Sequence, residues 1–144
     1  MLEKIHEESW GEFRVLTGTA EQIPQAVLGL LSRDKKSFES AYWKIENYVV
    51  VQGDLFSAAA ILPKYLYEVV LETKYKERII DLIWEIGTGH SKDRNLQEQC
   101  FTESVKAYEM LLVHPKIAST KYCEMVKNEL NDMLVFDAER QQKS

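Results

Sequence analysis

The sequence predicts an all-α fold in which helices form pairs and the pairs repeat along the chain. Glycine and proline are few, 6 and 3 among 144 residues, which favours helices over a turn-rich β fold. Proline and tryptophan also recur together, since Pro24 is followed by Trp43 and Pro63 by Trp84. The two prolines are about 40 residues apart, and so are the two tryptophans. A period near 40 residues with two helical patterns per unit is typical of HEAT-type repeats. We therefore predict a short, right-handed, HEAT-like solenoid of about three helix pairs.

Apolar side chains recur at helical spacing in seven segments. The predicted helices cover residues 2–16, 19–32, 34–50, 55–72, 75–87, 95–113 and 117–136. The last pair lacks the proline and the tryptophan and is a degenerate third repeat. We expect a single domain over residues 1–137, followed by a frayed polar tail at 138–144, where no apolar periodicity remains.

Polar residues predict where several helices begin. Thr19 and Gln22 fit a capping box, and Asp34 is a helix N-cap. The clearest break follows at Gln52–Asp54, where Asp54 is expected to cap the next helix. The β-branched run 49–51 could form a strand, but it is short and has no partner run, so we interpret it as a helix end.

Pro63 lies in the middle of the apolar pattern at 55–72. It removes one backbone hydrogen bond and clashes with the preceding turn, so it must kink this helix or split it in two.

The bulk properties limit the function classes. A net charge of −5 argues against nucleic-acid binding, which needs basic surface, and permits a basic partner. No window approaches 18 uninterrupted apolar residues and the N-terminus lacks an apolar leader, so we expect a cytoplasmic protein without membrane association. Cys100 and Cys123 could form one disulfide, but buried free thiols are the favoured interpretation.

No catalytic set stands out in the sequence. His6, His90 and His114 are far apart and fall at predicted helix ends or loops. There is no Cys-x-x-Cys, His-Glu-x-x-His or phosphate-binding glycine loop. We therefore expect a protein that is not an enzyme and needs no cofactor or metal.

Trp43 and Trp84 have two interpretations. Their recurrence at equivalent repeat positions favours core packing for both, while the alternative is that they are aromatic anchors on a binding face. Trp84 lies at the edge of its predicted apolar stripe and could serve both purposes.

Acidic residues provide the candidate partner-binding site. Glu77, Asp81 and Glu85 lie at i, i+4 and i+8 and form one row on a helix, opposite its apolar stripe. Glu46 and Asp54 could extend this acidic surface. The alternative is a solvated face balanced by nearby cations. Those cations are Lys74, Lys76 and Arg78.

Residues 18–89 resemble a family of bacterial HEAT-repeat-domain proteins. The resemblance rests on the Gly-x-Ala-x-x-apolar-Pro start at 18–24, the Gln-Gly turn at 52–53, the Ala-rich helix and apolar-Pro step at 58–66, and the apolar helix at 79–86. Val51 departs from the family, which often has a histidine there. Many members are immunity proteins of polymorphic or contact-dependent toxin systems, so the resemblance implies binding and blocking of a toxin.

The resemblance thus implies an immunity protein, and we expect it to cover the active site or substrate groove of a cognate toxin. A basic nuclease domain is the preferred toxin class, because acidic groups would pair with the cations that such an enzyme uses for nucleic acid. The partner-binding residues would be acidic side chains together with one tryptophan. They are Glu46, Asp54, Glu77, Asp81, Trp84 and Glu85. The alternative function is a HEAT-like scaffold or adaptor for other proteins.

Overall fold

The computed structural model describes residues 1–143, and they are predominantly helical. The α-helices of this part of the chain are Ile23–Gly29 (α1), Lys35–Val49 (α2), Pro63–Glu72 (α3), Lys76–Gly87 (α4), Arg94–Val113 (α5), Pro115–Ala118 (α6) and Tyr122–Gln142 (α7). Three 3-10 helices, at Leu2–Glu7, Trp10–Glu12 and Ser57–Ile61, and two short strands, Val50–Val51 (β1) and Asp54–Leu55 (β2), lie between them. The predicted all-α class is confirmed.

The long helices lie in two layers. In the first layer, α3 packs against both α1 and α5. Each of these helices also packs against a helix of the second layer, α1 against α2, α3 against α4 and α5 against α7. Within the second layer α4 contacts α7 directly and reaches α2 through side chains, since Tyr42 Oη donates to the carbonyl oxygen of Arg78 at 3.2 Å. Helix α4 therefore lies between α2 and α7.

The core fills the space between the two layers. The apolar stripe of α4 is fully buried, as predicted, and α4 packs against α3, in which Leu66 and Val69 are equally buried. Tyr108 of α5 is also fully buried, and its hydroxyl donates to the carbonyl oxygen of Ile80 at 2.7 Å. This bond satisfies a polar group that would be costly to bury alone.

Several predicted helix boundaries are confirmed. Asp34 caps α2, because its side chain accepts a hydrogen bond from the Ser37 backbone N–H at 3.0 Å. Pro63 splits its segment in two, with a 3-10 helix before it and α3 beginning at the proline itself. Pro24 lies in the first turn of α1, where its missing N–H leaves no hydrogen bond unmade.

The break at Gln52–Gly53 is a β-hairpin, so two predictions about it are wrong. Val50–Val51 pairs antiparallel with Asp54–Leu55, so the last two residues of the β-branched run form a strand. The first residue of the run, Val49, is the last residue of α2. Asp54 lies in β2 and caps no helix. The turn residues Gln52 and Gly53 have φ values of 51° and 88°, and this left-handed pair suits the twist of a tight hairpin.

The N-terminal predictions are also wrong in detail. Residues 2–16 contain two 3-10 helices in place of one α-helix, because the indole N–H of Trp10 turns back to donate to the Ile5 carbonyl oxygen at 2.7 Å. Thr19 does not cap α1, which begins at Ile23 without a side-chain cap. The Thr19 hydroxyl bonds instead to Glu21 Oε1 at 3.0 Å.

The C-terminal helix extends further than predicted. It runs to Gln142, so the predicted frayed tail is wrong for residues 138–142, while Ser144 lies outside the described residues. Arg140 explains the extension, since its Nη1 donates to the Gly89 carbonyl oxygen at 2.9 Å and its Nη2 pairs with Asp137 at 2.8 Å. Both cysteines are free thiols, with Cys100 buried and Cys123 half-buried.

Candidate functional site

The predicted acidic row lies on the outer side of α4. Glu77 and Asp81 are exposed and Glu85 is half-buried, while the opposite side of the helix carries the fully buried Ile79 and Ile83. The amphipathic pattern of α4 fixes this orientation, because its apolar stripe must face the core. The row therefore faces outward between the two neighbouring helices, α2 and α7.

Glu46 of α2 meets this row at Glu85. Glu46 is close enough to raise the pKa of Glu85, and both side chains line one groove of about 420 Å³ between α2, the β-hairpin and the end of α4. The side chain of Trp84 lines the same groove, and its indole N–H is buried without an acceptor among the described residues. The structure thus brings together Glu46, Trp84 and Glu85, three of the six residues predicted to bind a partner.

Asp54 does not take part in the groove. It is exposed on β2, next to Gly53, which does line the groove. The hairpin is fixed to the loop after α4, since the backbone N–H of Leu55 donates to the His90 carbonyl oxygen at 2.8 Å. Asp54 therefore lies near the acidic residues of α4 without contributing to the walls of the groove.

A second pair of carboxyl groups was missed by the sequence reasoning. Asp81 of α4 and Asp132 of α7 are close enough to Glu129 of α7 to raise the pKa of its carboxyl group. We call the combined surface of α2, α4 and α7 the acidic face. It comprises Glu46, Glu77, Asp81, Glu85, Glu129 and Asp132. The signal that could have revealed the pair is the position of Glu129 beside the predicted apolar stripe of the last helix.

The cations considered as a balance for the row have other partners. Arg78 donates from both terminal nitrogens to Glu39 of α2 and stacks over the Tyr42 ring at 4.2 Å. Lys76 donates from Nζ to three carbonyl oxygens at the end of α3, at 2.7–3.2 Å. Lys74 lies over the Tyr75 ring at 5.6 Å. Among residues 1–143, no ion pair neutralises any carboxylate of the acidic face.

This arrangement raises the pKa of two of the carboxyl groups. Burial is the main cause that raises the pKa of Glu85 to about 8, with the hydrogen bond to Glu46 and the negative charges of Glu46 and Asp81 adding to it and Arg78 opposing it. Burial also raises the pKa of Glu129 to about 7, reinforced by the charge of Asp81 and the hydrogen bond to it, and by the charge of Asp132. Both carboxyl groups therefore keep a proton to higher pH than an ordinary glutamate does.

The free energy of unfolding is expected to fall as the pH rises from about 5 to about 8. The folded pKa of Glu85 and Glu129 lies above the ordinary value of 4.5, so the folded protein binds more protons than the unfolded chain. Their stabilising contribution is then present below the unfolded pKa and is lost as the pH rises through the folded pKa. The loss should be on the order of 1–2 kcal/mol after solvent screening at these half-buried sites. Urea unfolding at pH 5, 6, 7 and 8 measures it.

Replacement of the two glutamates by glutamine provides the control for this trend. Glu85→Gln with Glu129→Gln keeps a neutral hydrogen-bonding group at each position, so stability should become nearly constant over this pH range. Glu109→Gln, at an exposed position of α5, should keep the trend of the parent protein. A parent protein whose stability stays level or increases between pH 5 and 8 would contradict the assignment.

The two tryptophan side chains differ in how deeply they are buried. Trp84 is half-buried against the core, but Trp43 is 56% exposed, so the prediction that both are core residues is wrong for Trp43. The reason is the phase of α2, whose buried stripe passes through Phe38, Tyr42 and Ile45 and leaves position 43 outside it. Trp43 packs edge-on against Tyr48, with ring centroids 5.7 Å apart, beside a groove at the start of α1.

Comparisons with known proteins leave the family open. No protein-family model, no curated protein and no solved structure matches this chain. The helices described here include none with both the length and the apolar character needed to cross a membrane. Within residues 1–143, no three or more His, Cys, Asp or Glu side chains are grouped in a way that could hold a metal ion.

Proposed function

We propose that this protein is a short HEAT-like solenoid that binds a basic partner protein through its acidic face. The observation that carries the proposal is the concentration of six carboxyl groups on three adjacent helices, with no ion pair to neutralise them in the described part of the chain. Although the raised pKa of Glu85 and Glu129 reduces the charge of this surface near neutral pH, the negative charge that remains attracts an oppositely charged partner and accelerates its association.

The packing of the helices supports the solenoid part of the proposal. The pairs α1–α2, α3–α4 and α5–α7 stack in chain order, and a buried proline lies in the first turn of the first helix in two of them. In a helical solenoid, stacking aligns equivalent helices of successive repeats and creates an extended binding surface. Helices α2, α4 and α7 are the second helices of their pairs, and together they carry the acidic face.

The partner we propose is a cognate bacterial toxin, with a nuclease domain as the preferred class. A nuclease must present cations to its polyanionic substrate, and an acidic surface of matching size could cover those cations. The proposal that the partner is a toxin rests on the sequence resemblance of residues 18–89, and the acidic face provides a mechanism that is compatible with it. Inhibition would follow from occlusion of the active site or substrate groove.

The test is co-expression with the product of the adjacent gene. Growth should be restored in cells that make this protein, and a catalytically inactive form of the adjacent product should bind it in a pull-down. Growth arrest despite equal expression of both proteins, together with no binding, would overturn the toxin assignment.

Charge reversal on α4 is expected to weaken that binding about 100-fold or more, since like charges placed opposite a basic partner cost several kcal/mol. The variant is Glu77→Lys with Asp81→Lys, which changes two exposed positions and leaves the buried stripe intact. Isothermal titration calorimetry gives the affinity, and circular dichroism should show unchanged helicity.

A matched variant separates position from net charge. Glu98→Lys with Glu109→Lys makes the same change in total charge at exposed positions of α5, outside the acidic face. It should retain affinity within about threefold, as is usual for charges away from an interface that act only through long-range attraction. If both double variants bind as tightly as the parent, the acidic face does not contact the partner.

The adaptor function is favoured by one specific observation, the exposed Trp43. Large aromatic side chains are common energetic centres of protein interfaces, and this one lies at a groove that no residue of the acidic face lines. Affinity purification followed by mass spectrometry distinguishes the functions. An adaptor should retain partners that are lost in Trp43→Ala and kept in the charge-reversed α4 variant.

A further inference from the structure

The end of the molecule formed by α1 and α2 carries a groove whose polar lining is cationic. The groove has a volume of about 590 Å³, and side chains of both helices line it. Lys36, Ser40 and Lys44 of α2 follow one another at i, i+4 and i+8 and form one row along it, and Gln22 and Gln25 face them from the start of α1. Among the described residues, no Asp or Glu lines this groove, which we call the basic groove.

The two ammonium groups of this row are unpaired. Within residues 1–143, neither Lys36 nor Lys44 forms an ion pair or a hydrogen bond. The acidic side chains of the same helix and its cap lie elsewhere. Asp34 caps α2, Glu39 is held in an ion pair, and Glu46 lines the groove beside α4. In a chain of net charge −5, this end therefore presents positive charge to solvent.

A smaller pocket adjoins the basic groove at Lys44, which lines both. Its volume is about 170 Å³, and its apolar lining comprises Val15, Ile23, Trp43 and Tyr48. A cavity of about 150 Å³ is enough to hold one benzene ring. Sites for drug-sized ligands are larger, roughly 300–1,000 Å³. The pocket therefore fits one aromatic side chain better than a whole small-molecule ligand.

The walls of this pocket are formed before any ligand arrives. The loop before α1 is fixed to α2, because the backbone N–H of Leu16 donates to the Tyr48 carbonyl oxygen at 2.8 Å. The Trp43 ring is held edge-on against Tyr48, with centroids 5.7 Å apart, yet it remains 56% exposed. A preformed aromatic surface binds at a lower entropic cost than one that must first become ordered.

We propose that the basic groove and its pocket bind an extended acidic peptide that carries one aromatic residue. The aromatic side chain occupies the pocket beside Trp43, and carboxylate side chains pair with Lys44 and Lys36. This surface is separate from the acidic face, and its ligand does not depend on the toxin assignment. It gives the adaptor function a partner of defined chemistry.

The dimensions of the row set the length of the peptide. Lys36 and Lys44 are eight residues apart on α2, which corresponds to about 12 Å along the helix axis. An extended chain advances about 3.3 Å per residue, so about four residues span the two lysines. A peptide of about six residues with the aromatic residue at one end reaches the pocket and both ammonium groups.

The composition of the groove favours carboxylates over nucleic acid. Nucleic-acid affinity depends on many phosphate contacts, and the basic groove offers two cations. Arginine, which recognises phosphate through paired hydrogen bonds, is absent from the described lining of the groove and of the pocket. Ammonium, hydroxyl and amide groups are suitable donors for separate carboxylates along a peptide.

The experiment measures binding of a fluorescein-labelled peptide, Ser-Phe-Glu-Ser-Glu-Ser-Glu, by fluorescence anisotropy. We expect saturable binding that weakens as salt is added, since the ion pairs are exposed to solvent. Lys36→Glu with Lys44→Glu should weaken it about tenfold or more, and so should Trp43→Ala. A peptide whose phenylalanine is replaced by serine should bind the parent more weakly and lose little further affinity in Trp43→Ala, because the two aromatic groups act as one contact.

Matched variants separate the basic groove from general charge effects. Lys92→Glu with Lys127→Glu makes the same change in total charge at two exposed positions outside the groove. It should retain peptide affinity within about threefold, as should the charge-reversed α4 variant, at a salt concentration that screens distant charges. Circular dichroism should show unchanged helicity for every variant, since all the substituted side chains are exposed.

Four results would overturn the proposal. They are no saturable binding of the peptide to the parent, equal losses in the groove variants and in the matched control, tighter binding of an oligothymidine than of the peptide to the same lysines, and self-association of the parent that the two groove lysines control. The third result would assign the groove to nucleic acid, and the fourth, measured by light scattering, would assign it to a second copy of the chain. The acidic face is tested separately with the product of the adjacent gene, so it stands or falls independently of the peptide.

Discussion

Replacement of Leu66 by alanine is expected to lower the free energy of unfolding by about 2–5 kcal/mol. Leu66 is fully buried in α3, the helix that packs against α1, α4 and α5 and so joins the two layers. Removal of its isobutyl group takes away buried apolar contacts and leaves a cavity. The side chains that surround this cavity belong to several helices and cannot all move inward to fill it. Urea unfolding followed by circular dichroism at pH 6 measures the change.

The control is the same substitution at an exposed leucine. Leu134 of α7 is 44% exposed, and Leu134→Ala should change the stability by no more than about 0.5 kcal/mol. An equally small effect of Leu66→Ala would mean that α3 does not form the centre of the core.

The helical framework could be predicted because its signals are local. The apolar stripe of α4, with Ile79 and Ile83, repeats at the period of a helix and had to face the core. Asp34 and Pro63 fix helix starts through their own backbone and side-chain chemistry. These features need no knowledge of what the helix packs against.

The hairpin and the N-terminus could not be predicted in the same way. Val50–Val51 becomes a strand because Asp54–Leu55 returns beside it, and the loop at His90 then bonds to Leu55. Trp10 bends its segment by bonding to Ile5 and packing near Tyr65 of α3, with ring centroids 6.0 Å apart. Both structures depend on contacts between separate segments of the chain, and the secondary-structure propensity of one segment cannot predict such contacts.

The candidate site also has some features that local sequence spacing predicts and others that depend on packing between helices. The i, i+4, i+8 spacing predicted that Glu77, Asp81 and Glu85 share one side of a helix, and they do. The packing of α7 decides that Glu129 approaches Asp81, and helical spacing on α4 says nothing about it. The raised pKa of Glu85 depends on burial, which is a property of the assembled helices.

The second large effect is expected at Gly87, where valine should cost about 3 kcal/mol or more in the free energy of unfolding. Gly87 is the last residue of α4 and is buried where α5 and α7 cross it. A Cβ atom at this position would lie 2.8 Å from Ser104 Cβ on α5 and would also overlap the sulfur of Met133 on α7. Met133 is flexible and can move aside, but Ser104 Cβ moves only with its backbone, so helix α5 would have to shift. Thermal and urea unfolding of the variant measure the cost.

A double-mutant cycle can assign that cost to the contact with α5. Gly87→Ala adds only the Cβ atom, and Ser104→Gly removes the atom that it meets. Each single change should be destabilising, the first by overlap and the second by about 1 kcal/mol of helix propensity. If close approach of α4 and α5 requires glycine at position 87, the double variant should be more stable than the sum of the two effects by about 1 kcal/mol. Strict additivity would place the conflict at Met133 instead, and Gly87→Ala with Met133→Ala would then show the coupling. Either result locates the contact that fixes the distance between the layers, and with it the position of the acidic row of α4.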